Sequence, residues 1–375
     1  MMKTEPIGLY VHIPFCEKKC NYCDFCSRAG LTGEERATYL KKLCGEIGNY
    51  RREEKIRADS VFFGGGTPSL LSPEEFSAVV RALRGSFDLL PGTEFTVEAN
   101  PATLTREKLD GFRTCGVNRL SIGLQSIHEN ELKILGRIHT YADFLSSFEL
   151  ARACGFDNIS VDLMYALPGQ TRESFHETLR AVAALSPEHI SAYGLILEEG
   201  TPFYERRASL RFPGEDAECD MYEDAVRTLS DAGYRHYEIS NYAKPGAECR
   251  HNLKYWLDRE YLGFGVAAYS YFEGLRFGHC RDFAGYLRQN RPDPATVEVI
   301  DGAENAYEYA MLRLRLADGI SRAAYAEKFG RDFTRGREKK LAAFERQGLL
   351  FSDGDRIALT DRGFYVSNAI LSEIL

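Results

Sequence analysis

The chain has 375 residues, 44% of them hydrophobic and 27% charged, enough for one large domain with a smaller one and ordinary for a globular protein. A formal net charge of −8 argues against a nucleic-acid-binding surface as its main business. No apolar run approaches the length of a membrane span and the first residues do not read as a signal peptide. The ten cysteines are therefore expected in the cytoplasm, reduced, as free thiols or ligands.

An apolar run over 7–15 reads as the first strand and leads into Cys16-Glu-Lys-Lys-Cys20-Asn-Tyr-Cys23. Three thiols within eight residues can converge on one metal centre without ordering a long loop. Three are too few for a closed structural zinc site. They suit a four-iron cluster in which one iron lacks a protein ligand and stays open to a small molecule, and iron–sulfur clusters use close-spaced cysteines of this kind. A chance triplet is the plainer alternative. Cys26, Cys44, Cys115, Cys154, Cys219, Cys249 and Cys280 are scattered, and most are expected to be small buried hydrophobes.

Beyond the cysteines, helices are expected over 33–55, from Ser72, and over 105–115, 129–135, 141–154 and 172–185. Strands are expected over 59–63, 94–98, 119–123, 158–164 and 189–197. The second helix carries its start signals openly, with an N-cap Ser72, Pro73 and a Glu75 to complete the cap. Six strand–helix alternations imply an α/β fold of parallel βα units, an open six-stranded barrel over 1–200 whose strand C-termini share one mouth. A helix over 215–232 and aromatic-rich short strands form an extension over 201–292. Helices at 304–315, 321–329 and 334–347, then a hairpin turning at Asp353-Gly354, give 293–375 the look of a winged helix, read as scaffold rather than as a DNA-binding unit.

Several strand ends carry chemistry. Gly64-Gly65-Gly66-Thr67-Pro68 would let backbone approach a ligand, although a plain turn is the alternative. Glu98 puts a carboxylate where it could take a hydroxyl or an ammonium group. Asp162 is a charge inside an apolar strand and needs a partner. Arg137 could hold a carboxylate by two parallel hydrogen bonds.

The Cys-x3-Cys-x2-Cys spacing resembles the signature of the radical S-adenosylmethionine (SAM) superfamily. Tyr10-Val-His12-Ile-Pro-Phe15 and Asp24-Phe25 are similar to the oxygen-independent coproporphyrinogen oxidase group. His251-Asn-Leu-Lys-Tyr-Trp256 resembles the mark of that group's heme-chaperone branch. The resemblance implies a [4Fe–4S] cluster on Cys16, Cys20 and Cys23 that donates one electron to the SAM sulfonium. It implies SAM contacts from Gly65, Gly66, Thr67, Glu98, Gln125, Arg137 and Asp162, with Tyr10, Tyr22 and the Ile196 backbone bordering the cluster and adenine. His251 would be an axial ligand for heme. The implied partners are a heme-acceptor protein, a low-potential electron donor and, during heme delivery, a membrane surface. Two departures stand out: Cys26 lies three residues past Cys23, where the oxidases have a fourth cysteine two residues on, and Tyr269 replaces a usual family histidine. Cys26 is expected not to be a ligand. With the first cysteine of the loop at residue 16, the oxidases' longer N-terminal arm is not expected here. These features favour a heme chaperone, with an oxidase that decarboxylates two propionates of coproporphyrinogen III as the alternative, and a zinc-binding interaction module as a third reading.

Overall fold

The computed structural model describes residues 5–375. Among these, twelve strands join in one sheet. Its centre is β1 (Ile7–Ile13), β2 (Ile56–Gly65), β3 (Phe87–Ala99), β4 (Arg119–Gln125), β5 (Ile159–Tyr165) and β6 (His189–Gly194), side by side in chain order and all parallel. This is the expected α/β arrangement, open rather than closed on itself.

Each strand is apolar on its outer face, where the helices pack. Leu9, Val11, Val61, Phe63, Val97, Leu120, Ile122, Val161 and Leu163 are buried there, each side chain contributing roughly 1.5–3 kcal/mol. The connecting helices Gly33–Gly48, Pro73–Ser86, Tyr141–Ala153 and Arg172–Ala184 all begin with capping boxes, at Thr32, Ser72, Thr140 and Thr171. Successive residues of a strand face opposite ways, so the inner face carries Tyr10, Phe62, Glu98, Ser121, Asp162 and Ser191.

The aromatic-rich stretch expected as an extension over 201–292 does not pair within itself alone. Its strands lengthen the central sheet at both edges. β7 (Arg235–Glu238) and β8 (Asn241–Ala243) lie antiparallel beyond β6. β9 (Tyr261–Phe264) pairs parallel with β1 and is followed outward by β10 (Tyr269–Phe272), β11 (Leu275–Gly278) and β12 (Glu298–Val299). The helix Arg250–Trp256 packs against β2. Glu94 holds its start by accepting from the backbone N–H groups of Arg250 and His251, both at 2.9 Å. Gly8 makes room for it, since a Cβ there would meet Lys254 Cδ at 2.8 Å and His251 Cε1 at 3.1 Å.

The C-terminal unit has its own three-stranded sheet, β13 (Ile320–Ser321), β15 (Arg356–Leu359) and β14 (Leu350–Ser352) in spatial order, with helices Gly302–Arg313, Arg322–Phe329 and Glu338–Arg346. Several bounds differ from expectation for physical reasons. The first helix stops at Gly48 rather than near 55, because Gly45, Gly48 and Asn49 are weak helix formers. The third strand starts at Phe87 rather than 94. Its ladder to β2 breaks between Ala58 and Ser60, and that break accommodates Pro91-Gly92. Among the described residues no helix is long and apolar enough to cross a membrane.

Candidate functional site

The cysteine loop leaves β1 at the C-terminal mouth of the sheet. A two-residue parallel ladder, Phe15–Cys16 against Arg28–Ala29, closes its base. Its far side is tied down by Asn21, whose backbone N–H bonds to Leu135 O at 2.9 Å and whose side chain donates to Ile134 O at 2.8 Å. Cys16, Cys20 and Cys23 all line a cavity of about 310 Å³ together with Tyr22, Gly65, Gly66, Thr67, Glu98, Gln125, Arg137 and Asp162. Burial raises the Cys16 and Cys23 thiols above their ordinary pKa, and the charge of neighbouring thiols adds to this.

Among the described residues no three metal-ligating side chains gather tightly enough to hold a single ion. A tetrahedral zinc with 2.3 Å bonds needs sulfurs roughly 4 Å apart. The three thiols instead stand around the rim of a wider space, and a donor set of three cysteines without histidine or carboxylate fits a four-iron cluster. Cys26 is absent from that rim, and its Sγ donates to Arg281 O at 3.1 Å.

The glycines after β2 are demanded by space. A Cβ on Gly66 would come 2.7 Å from Phe15 O and 3.1 Å from Cys16 Sγ, and one on Gly65 would meet the His12 ring at 2.6 Å. Gly65 donates its N–H to Glu98 at 3.0 Å. Burial, then the neighbouring Asp162, pushes the Glu98 carboxyl up to about 7. Asp162 is raised chiefly by burial and accepts from Ser121 Oγ at 3.2 Å. Arg137 donates from Nη2 to Asn100 Oδ1 at 2.8 Å and to Gly123 O at 2.6 Å, while Nη1 lies 3.7 Å from Cys20 Sγ. Asn100 in turn donates to Thr67 Oγ1 at 2.9 Å, and Thr67 reaches Cys16 Sγ at 3.7 Å. Thus Asn100 links the arginine to the glycine edge. The Glu98-Ala-Asn100-Pro101 stretch resembles the family's SAM-binding strand end in sequence, but sequence reasoning gave Asn100 no role of its own. Ser121, Met164 and Tyr193 also line the cavity and were missed.

Three expected residues are not among those that line this cavity. Ile196 is 71% exposed, because β6 stops at Gly194 instead of running to 197. Tyr10 and His251 line a second, inner chamber of about 210 Å³ that shares Glu98, Ser121, Asp162 and Tyr193 with the first. His251 is 1% exposed, with Nδ1 3.0 Å from Ser60 Oγ and Nε2 3.0 Å from the Tyr255 hydroxyl. Burial is the main cause that pushes its pKa down to about 3, so the imidazole is neutral. Tyr269 is 43% exposed on β10.

Residues 10–182 match the radical SAM superfamily and residues 300–366 the HemN C-terminal domain. Over its whole length the chain is 36% identical to the heme chaperone HemW of Lactococcus lactis, covering 98% of that protein. The chain belongs to the HemW family. The Escherichia coli HemW is 35% identical, with both chains covered completely. The solved structure of coproporphyrinogen III oxidase (HemN) from Escherichia coli, a radical SAM enzyme, matches with a TM-score of 0.86 over 99% of this chain and 90% of that one. At 24% identity that likeness establishes the fold. In this HemW-family chain the cysteine loop, the glycine edge and the strand ends at Glu98, Gln125 and Asp162 all fall inside the segment matched to the radical SAM superfamily.

Proposed function

We propose that the protein is a heme chaperone that binds a [4Fe–4S] cluster, SAM and heme and passes the heme to an acceptor protein. The observation that carries this is the joint cavity of Cys16, Cys20 and Cys23 with Glu98, Gln125, Arg137 and Asp162, in a chain whose full-length relatives are heme chaperones. When bound, a reduced cluster supplies one electron for cleavage of the SAM sulfonium, chemistry that belongs to the cofactors. The three thiols would hold the cluster. Gly65 and Glu98 would take the amino end and ribose side of SAM, Gln125 and Asp162 the ribose and sulfonium side, and Arg137 would set its charge beside the cluster loop. A low-potential electron donor and a passing contact with a membrane surface complete the proposed partners.

His251 is the proposed heme ligand. A neutral imidazole is the form that binds iron, and burial keeps His251 neutral at any physiological pH. Its use requires Nε2 to leave Tyr255 and the helix Arg250–Trp256 to move, since a 210 Å³ chamber does not admit a porphyrin. His251→Ala is therefore expected to abolish or shift the heme absorption band, whereas Tyr255→Phe, which frees Nε2, retains it. An unchanged spectrum in His251→Ala removes the ligand role.

The function is tested by titrating heme into anaerobically reconstituted protein and assaying the same sample with coproporphyrinogen III. Saturable heme binding without protoporphyrinogen formation is expected. Turnover of coproporphyrinogen would overturn the chaperone reading in favour of the oxidase.

A further inference from the structure

The inner chamber contains a charge that nothing described so far uses. Arg119 opens β4 on its inner face, two residues before Ser121, and is 2% exposed. It lines the chamber. Among the described residues it makes no side-chain hydrogen bond and no ion pair, and its Nε is buried without a partner. The neighbouring polar rings are satisfied. His189 has Nδ1 2.8 Å from Ser160 Oγ and Nε2 2.9 Å from the Tyr237 hydroxyl, and His251 is held by Ser60 and Tyr255. A guanidinium cannot shed its proton as a buried lysine can; Glu94 and Asp162 offset its charge from a distance, but its buried donors have no acceptor, which is costly until one arrives.

We propose that the inner chamber is a subsite for a singly charged carboxylate, held bidentately by Arg119. The planar fork of a guanidinium matches a carboxylate. A doubly charged anion such as phosphate is disfavoured, because Asp162 and Glu98 stand between this chamber and the outer cavity. The ring faces of Phe62 and Tyr255 would take a short methylene chain, with Ser191 and Asn252 beside the carboxylate. The carboxylate arrives either as a free small acid or as an arm of a larger ligand entering past Glu98.

Sodium propionate is the probe, compared with sodium chloride at equal ionic strength in thermal unfolding of the full chain. Propionate binding to the native state should raise Tm saturably. In Arg119→Met this response should vanish, and in Arg119→Lys the apparent affinity should fall at least tenfold. Asn252→Asp keeps Arg119 but sets a negative charge against the ligand, so it should also lose the response; it carries the test should Arg119→Met fail to fold. If propionate competes with heme, and heme dimethyl ester binds more weakly than heme, the source is a heme arm. Propionate binding without competition identifies a free acid. No propionate response in the wild-type chain, or a response retained in Arg119→Met, overturns the subsite.

Discussion

Replacing Cys16, Cys20 or Cys23 by alanine is expected to abolish the visible absorption of the anaerobically reconstituted protein, whereas Cys26→Ala leaves it intact. The three thiols share one cavity rim with the glycine edge and Arg137, and among the described residues its lining offers no fourth thiol that could replace a lost one, the other sulfur there being the Met164 thioether. Cys26 is close in sequence but is turned away toward the Arg281 carbonyl, and reaching the rim would mean unfolding the ladder that closes the loop. A cube bound by two thiolates is labile, so loss should be nearly complete rather than graded. Iron and sulfide analysis of the same samples checks the chemistry. Zinc without sulfide in the wild-type protein would support the interaction-module reading, and cluster loss in Cys26→Ala with retention in Cys20→Ala would show the ligand set to be wrong.

What could be read from the sequence follows from how local each signal is. The central strands were legible because each is a short apolar run ending in a polar residue or glycine, and the caps at Ser72 and Thr105 announce their helices within four residues. The cysteine loop and the glycine run are likewise local. Arg119 was read only as the first residue of a strand. Its inward position depends on the register that sets it beside Thr96, and register is a property of two strands rather than one. The resemblance put the Ile196 backbone at the site, and the apolar run put the strand's end at Leu197, yet the pairing with β5 ends at Gly194. The aromatic-rich region resembled a separate extension because its short strands show no period linking them to β1. The pairing of Gly8 with Tyr261 crosses most of the chain. His251-Asn252 was recognised as a motif, but not as the start of a helix packed beside the inner chamber, since the acceptor for that helix's first N–H groups is Glu94, far upstream.

Glu98→Gln is expected to weaken SAM binding and yet to stabilise the protein without SAM, a pair of opposite signs that separates a ligand-binding carboxylate from a structural one. The Glu98 carboxyl titrates near 7 in the folded protein, against an ordinary value of 4.5. Between these values the folded state holds more protons than the unfolded chain, so this group's contribution to stability falls as pH rises from 4.5 to 7 and stays lowered above 7. The glutamine keeps an oxygen for the Gly65 N–H and carries no charge, so it should gain on the order of 3 kcal/mol at pH 8 and nothing at pH 4. Binding runs the other way. SAM is cationic at its sulfonium and amino groups, so it favours the ionised carboxylate and pulls the bound-state pKa below 7. Wild-type affinity should therefore rise about tenfold from pH 6 to pH 8 and level off above, whereas Glu98→Gln should be weaker at pH 8 and nearly flat across that range. The cluster absorption should be unchanged in the variant, because Glu98 touches the glycine edge and not the thiols. Calorimetric titration with SAM at three pH values, beside thermal unfolding at the same values, measures both signs. A variant that binds SAM as tightly as the wild type at pH 8 would remove Glu98 from the SAM site, and a variant less stable at pH 8 would mean that Glu98 is ionised and paired in the folded protein.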